Sequence, residues 1–316
     1  MRNLGKLAVL GITALGLALA GPQDNSLVIG ASQEPRVLAG DFLSVISNQA
    51  IKSEIEQYLF APFIGFNADS QNFPVLATEV PTLENGRLRV TDIGGGKKRL
   101  EMDITIRPDA KWSDGRPITT EDVAFYFEVG KAKGMPVLNP DFWERVNVRI
   151  KDARNFTLIF EPAYYYDTYG PINTYAPKHI MGPEWERVKA AARGLDPQKD
   201  AEKLNELYRN FFIKFSTPQA LNRGAMVYSG PFMLRRWVPG NSIEMVRNPN
   251  FPIKPEGGES KYVQKVVYRF IQNTNSLLVA VIGGSIDATS SVSLTFDQGR
   301  SPQLVRRAPG RFDIWF

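Results

Sequence analysis

The chain has 316 residues, with 38 lysines and arginines against 33 aspartates and glutamates, a single histidine and no cysteine. Without cysteine there is no disulfide framework and no thiol chemistry, and one histidine leaves ordinary zinc or copper centres without ligands. A formal net charge of +5, with no basic run longer than Lys97-Lys98-Arg99, argues against nucleic acid as a partner.

Residues 1–20 have a charged start (Arg2, Lys6), an apolar stretch from Leu7 to Leu19 and the small-residue exit Ala18-Leu19-Ala20 before Gly21. This is the pattern of a secretory signal peptide cleaved at Ala20-Gly21. The apolar stretch is diluted by Gly11 and Gly16 and falls short of the roughly 20 residues that span a bilayer. Gly21-Pro22-Gln23 offers no cysteine for a lipid anchor. The expected mature protein is soluble and periplasmic or otherwise extracytoplasmic.

Ser26 to Ala31 reads as a short apolar strand, and its exit Ser32-Gln33-Glu34-Pro35 as a loop at a strand's carboxyl end, where open α/β sheets bind ligands. Ile51, Ile55, Tyr58 and Leu59 have helical spacing over Ala50–Leu59. A strand is expected from Phe60 to Phe66, then a hairpin from Leu88–Thr91 and Leu100–Ile106 around Gly94-Gly95-Gly96. In its second arm Leu100, Met102, Ile104 and Ile106 alternate with polar residues, the period of a half-buried strand. Asp114-Gly115 marks a tight turn. Thr119 and Asp122 have the spacing of a capping box, which opens a helix carrying Val123, Phe127 and Gly130 and stopping near Gly134.

A strand over Thr157–Phe160 precedes Tyr164-Tyr165-Tyr166, a run expected to pack between domains. Asp196-Pro197 reads as an N-cap and first turn of a second long helix, with Leu204, Leu207, Tyr208, Phe211 and Phe215 on its apolar face. Strands follow at Gly230–Trp237, Ser242–Arg247 and Val263–Ile271, then a helix with Leu277, Leu278, Val281 and Ile282, and a last strand from Phe312. The order suggests an α/β domain interrupted by an inserted α+β domain.

Catalytic machinery does not assemble from these residues. His179 lacks a paired nucleophile and orienting acid, and there is no P-loop; the glycine tract lacks the strand–helix context of a dinucleotide site. A glycosidase-like carboxylate pair has no motif behind it. No catalytic residue, metal site or cofactor is assigned.

Five phrases, in order, carry a resemblance. Lys111-Trp112-Ser113-Asp114-Gly115-Arg116-Pro117-Ile118-Thr119-Thr120-Glu121-Asp122-Val123 resembles the signature of family 5 extracellular solute-binding proteins, the dipeptide- and oligopeptide-binding receptors of ABC importers. Leu27 through Glu34-Pro35, Phe73 to Ala77 with Val80-Pro81, Tyr228 to Phe232 with Arg247 to Phe251, and Gly283 to Asp287 are similar to further stretches of that family. Pro252 replaces the tryptophan expected after Asn250-Phe251.

The resemblance implies a periplasmic-binding-protein-like fold (type II, cluster C), here an α/β first lobe over 21–65 and 190–310 with an inserted α+β domain over 66–189. Residues 311–316 would start the crossover to a second lobe that is largely missing. It implies a monomer that binds di- or oligopeptides for an inner-membrane ABC permease. A nickel chelate, an opine or an oligosaccharide is the alternative ligand, and a structural or partner-binding envelope protein the alternative role. For the surviving wall of the cleft the expected ligand-binding residues are Ser32, Gln33, Glu34, Tyr228 and Ser229.

Overall fold

The computed structural model describes residues 25–67, 69–164, 167, 175–254 and 262–305. Residues 1–20, expected to be a signal peptide, Tyr165, Tyr166 and the strand expected from Phe312, with the expected crossover at 311–316, lie outside them.

Strand β1 (Ser26–Ala31) and helix α1 (Ala50–Leu59) have the bounds their apolar patterns predict, and α1 buries Ile51, Ile55 and Leu59. The strand read from Phe60 is shorter than expected: β2 is Ile64–Phe66, paired with β3 (Asn72–Pro74). Pro62 has no N–H to give to a ladder, and Phe60, Ala61 and Phe63 are core residues outside it. β4 (Leu88–Asp92) and β5 (Lys98–Thr105) form the expected hairpin. Gly94, Gly95 and Gly96 in its turn have φ of 87, 60 and 74°, a region open mainly to glycine.

Helix α2 (Thr120–Gly130) has both bonds of the capping box; the Asp122 carboxylate accepts from the Thr119 N–H at 3.0 Å. It ends at Gly130, short of Gly134. Helix α3 (Pro140–Arg145) runs directly into β6 (Val146–Ile150), and β7 (Asn155–Phe160) completes an antiparallel sheet in the order β4-β5-β7-β6.

The solvent face of this sheet carries an ion-pair ladder. Asp103 accepts from Arg89 at 2.7 Å, Lys151 at 2.9 Å and the Thr157 hydroxyl at 2.6 Å, while Glu101 pairs with Arg149. Partial burial pushes the Asp103 carboxyl up, but these donors outweigh it and hold it well below the usual carboxylate range. Such a depressed group stabilises the fold above its unfolded-state pKa and loses that contribution as pH falls towards the folded value. Asp103→Asn is expected to cost about 1 kcal/mol at pH 7, discounted for solvent screening, and less at pH 2.5. Urea unfolding at the two pH values measures this; an equal cost at both would refute it.

Helix α4 (Lys178–Ala192) was not foreseen, and α5 (Ala201–Ser216) starts later than its apparent cap. Asp196 does not cap a helix: its Oδ1 accepts from the N–H groups of Gln198 and Lys199 in a separate turn, and Asp200 takes the N-cap position. The expected face is otherwise present, with Leu204, Tyr208, Phe211, Phe212 and Phe215 buried and Leu207 half-buried. After α6 (Pro218–Asn222) come β8 (Phe232–Val238), β9 (Ser242–Arg247), β10 (Lys265–Phe270), α7 (Thr274–Ile282), β11 (Ala288–Thr289), α8 (Phe296–Gly299) and α9 (Pro302–Val305).

The second sheet has the order β11-β1-β10-β9-β8. β1 is parallel to both neighbours, with Val28 opposite Val267 and Ile29 opposite Ala288, while β9 is antiparallel to β10 and β8. One apolar core extends from Ile29 and Phe270 in this sheet through α1 and α5 to Leu100 and Phe160 in the other. A smaller cluster of Val28, Leu277 and Ile286 sits under α7.

Candidate functional site

Because β1, β10 and β11 are parallel, their carboxyl ends at Ala31, Phe270 and Thr289 share one edge of the sheet. Loops that leave the carboxyl ends of parallel strands are where open α/β sheets bind ligands.

Ser32 and Gln33 lie in the first of these loops. The Ser32 N–H donates to the Ser293 hydroxyl, and the Ser32 hydroxyl donates to the Val292 carbonyl, both at 3.2 Å. The loop after β1 is thereby laced to the loop after β11. Gln33 is exposed, and among the described residues its main-chain N–H and C=O have no hydrogen-bond partner. An exposed main-chain N–H and C=O left unpaired in this way can pair with an extended chain.

Glu34 is committed elsewhere. Its Oε1 accepts from the Trp237 indole N–H at 2.7 Å and its Oε2 from the Gly240 N–H at 2.9 Å, so it ties the loop to the β8–β9 turn. Gln49, just ahead of α1, accepts from the Arg36 N–H and the Ser47 hydroxyl at 2.7 and 2.9 Å, which closes the segment between them.

Tyr228 and Ser229 are not brought to this edge as exposed side chains. Ser229 is 0% exposed and its hydroxyl accepts from the Ala61 N–H at 3.1 Å. Tyr228 is 5% exposed, its ring lies 5.8 Å from that of Phe60, and burial pushes its phenol up. Its main chain pairs with Ser113: the Ser113 N–H donates to the Tyr228 carbonyl at 2.8 Å and the Tyr228 N–H donates to the Ser113 hydroxyl at 3.0 Å. The turn of the signature phrase is thus bonded to the segment ahead of β8. Asn250 adds a bond to the Ser113 carbonyl at 3.0 Å.

A buried charge cluster ties α1 to the segment ahead of it. Lys52 donates to the Asp41 carbonyl at 2.8 Å and stands 3.4 Å from Glu56, whose other oxygen accepts from the Ala39 N–H. Ala39, at φ 63°, is held in a backbone region that non-glycine residues seldom adopt.

His179 is half-buried at the start of α4, with its Nε2 2.9 Å from Asp114 and its ring against Trp112. Around it an open groove of about 560 Å³ runs between α2 and α4, lined by Glu121, Phe125, Glu128, Lys178 and Pro183 among others. Among the described residues no group of three or more His, Asp or Glu side chains could hold a metal ion, and no helix is long and apolar enough to cross a membrane. Tyr164 is 41% exposed with its ring 4.0 Å from the Arg145 guanidinium.

Sequence reasoning missed Ser290, Ser291 and Ser293, although the argument that picked Ser32 and Gln33, a polar loop leaving a strand's carboxyl end, applies equally to them. It also missed Glu54, which reads as an ordinary outward residue of an amphipathic helix.

The two larger sheets, with the carboxyl ends of three parallel strands gathered at one edge of the five-stranded one, define a mixed α/β lobe of the periplasmic-binding-protein type. Residues 97–306 match the bacterial extracellular solute-binding proteins, family 5 (middle), and the chain belongs to that family. Over 94% of its length it is similar to an oligopeptide-binding protein of Thermus thermophilus solved with a pentapeptide, at 98% identity and a TM-score of 0.91, covering 49% of that chain. The oligopeptide-binding protein AppA of Bacillus subtilis is 23% identical over 84% of this chain and 40% of its own length. A probable ABC transporter-binding protein of Deinococcus radiodurans is 27% identical over 61% of this chain and 30% of its own. The chain therefore spans about half the length of the solved structure and less of the two curated relatives. The matched family and these neighbours are binding proteins.

Proposed function

We propose that the chain supplies one wall of a peptide-binding cleft in the extracytoplasmic receptor of an ABC importer, and that it binds without catalysing. In this reading 21–65 and 190–310 form the first lobe, 66–189 the inserted domain, and a second lobe closes the cleft as two-lobed receptors do. The receptor acts as a monomer and delivers its peptide to an inner-membrane permease. Ser32 and Gln33 meet the ligand; Glu34 holds their loop through Trp237 and Gly240, while Tyr228 and Ser229 fix the end of α1 and the signature turn rather than touching the ligand.

The observation that carries the reading is the unpaired main chain of Gln33 just beyond the carboxyl end of β1. Main-chain pairing recognises any extended peptide whatever its side chains, which suits a receptor for peptides of mixed sequence. The 98% identity to a protein solved with a pentapeptide supports the same ligand class.

The test is calorimetric titration of a pentapeptide and of its variants N-methylated one amide at a time. Binding of the parent peptide is expected, with one or two methylated variants weaker by about tenfold, the loss of a main-chain bond or two. If the parent does not bind, or if every methylated peptide binds as well as the parent, the reading fails.

A further inference from the structure

Glu54 faces out of α1 on a side that the apolar core does not use, yet its carboxylate accepts four hydrogen bonds. Oε1 takes the Tyr268 hydroxyl of β10 at 2.8 Å. Oε2 takes the Ser290 hydroxyl at 2.8 Å, the Ser291 hydroxyl at 2.7 Å and the Ser291 N–H at 3.1 Å. Three of the four donors belong to the loop that leaves β11. That loop in turn holds the β1 exit, since Ser32 donates to both Val292 and Ser293 and the Ser293 hydroxyl donates back to the Gly30 carbonyl at 3.3 Å. A chain of hydrogen bonds thus runs from α1 through Ser290, which accepts from the Val292 and Ser293 N–H groups, and on to Ser32, next to the unpaired main chain of Gln33.

Apart from Glu54, the serine loop is held at this edge by the Ser290 N–H, which donates to the Gly30 carbonyl at 2.9 Å, and by the bonds to Ser32 and Gly30 just described. β11 is two residues long and pairs with β1 through two positions only, Ile29 with Ala288 and Gly30 with Thr289. So short an edge strand cannot set the course of the residues after it. Hydrogen bonds to a carboxylate are about twice as strong as neutral ones, and four of them converge on one side chain that is itself anchored in a helix.

We propose that Glu54 is a positioning residue of the ligand wall: it holds the Ser290–Ser293 loop against the β1 exit and so sets where the Gln33 main chain meets the ligand. The claim rests on the peptide-binding reading for the identity of the ligand, but the positioning itself is a property of the free protein.

The test uses Glu54→Ala and Glu54→Gln with two readouts. Glutamine keeps one acceptor for the serine loop and an amide that can donate to Tyr268, so it restores the geometry without the charge. In ligand-free protein, hydrogen exchange at the Ser291 and Ser32 amides is expected to quicken by about tenfold or more in Glu54→Ala, from the loss of charge-assisted bonds, and to return most of the way in Glu54→Gln. Pentapeptide Kd is expected to follow the same order, with strands β4 to β7 retaining wild-type exchange. Unchanged exchange at Ser291 and Ser32 in Glu54→Ala overturns the proposal, as does quickened exchange with an unaltered pentapeptide Kd. If the wild type takes up no pentapeptide, the peptide-binding reading fails, and the exchange data alone still decide whether Glu54 orders the loop.

Discussion

Replacing Lys52 with methionine is expected to destabilise the protein by about 3–5 kcal/mol at pH 8 and by distinctly less at pH 5. Lys52 is 2% exposed and serves two buried acids: it lies 3.4 Å from Glu56 and 3.9 Å from Asp41, and it donates to the Asp41 carbonyl and the Ser44 hydroxyl. Methionine replaces the apolar stem but not the ammonium, so the carboxylates are left to face the interior without their cation. Breaking a buried pair from one side costs far more than the pair contributes as a unit.

The pH dependence follows from the same cluster. Burial pushes the Glu56 carboxyl up to about 7, against the pull of Lys52, and pushes Asp41 up as well. A carboxyl with a folded-state pKa above its unfolded value binds its proton more tightly in the fold. Its contribution is fully present below the unfolded pKa, about 4.3, and is lost as pH rises through the folded value. In the wild type this term therefore declines from about pH 4 to 7. Removing Lys52 raises both carboxyls further, so the variant suffers most where the wild type holds them ionised. Urea unfolding of both proteins at pH 5 and 8 gives the comparison; an equal loss at the two pH values would contradict a charge-based role for Lys52.

Gly230→Ala is expected to cost at least about 3 kcal/mol, at the upper end of overpacking penalties, or to prevent folding. A Cβ at Gly230 would lie 2.6 Å from the Leu59 carbonyl carbon, 2.7 Å from the Phe60 nitrogen and 2.7 Å from the Tyr58 oxygen. All three are main-chain atoms at the end of α1, so no rotamer change relieves the clash. The approach is fixed by bonds on both sides: the Gly230 N–H donates to the Leu59 carbonyl at 2.8 Å, and Asn248 donates to the Gly230 carbonyl at 2.9 Å. Gly95→Ala is the control, with no atom within 4 Å of the new Cβ and only a φ of 60° against it. Thermal unfolding of the two variants separates these cases. A Gly230→Ala midpoint no lower than that of Gly95→Ala would show that the α1 end yields.

The elements legible in the chain were those whose signals are local and agree with one another. Ser26–Ala31 and Ala50–Leu59 have their predicted bounds because each has an unmistakable apolar period, and Thr119 with Asp122 sets the start of α2 through two bonds three residues apart. Helix α4 was illegible for the opposite reason: Pro183 sits inside it, and its N-cap position is Pro177, which has no capping side chain. At Asp196-Pro197 a real capping signal was present but served a short turn, since Asp200 offers a second acid four residues on. β6 was lost because it follows α3 without an intervening turn and buries only Val146 fully.

The site divided along similar lines. That Ser32 and Gln33 leave the carboxyl end of β1 was readable from their place after a strand. That Glu34 faces Trp237 and Gly240, more than 200 residues away, was not, because no local pattern encodes a partner so distant. The same distance hid Glu54 from its serine loop.

The pairing of β1 also has a consequence in time. Its two neighbours, β10 and β11, begin at Lys265 and Ala288, whereas the antiparallel sheet from Leu88 to Phe160 draws every strand from one short stretch of chain. A ribosome delivers the partners of that sheet early. Strand β1, by contrast, has no ladder partner until Lys265 to Phe270 and then Ala288 have been added, and closing so long a loop is slow. Until then Leu27, Val28 and Ile29 lack the strands that cover them in the fold, so the apolar run nearest the start of the larger sheet is among the last to be paired.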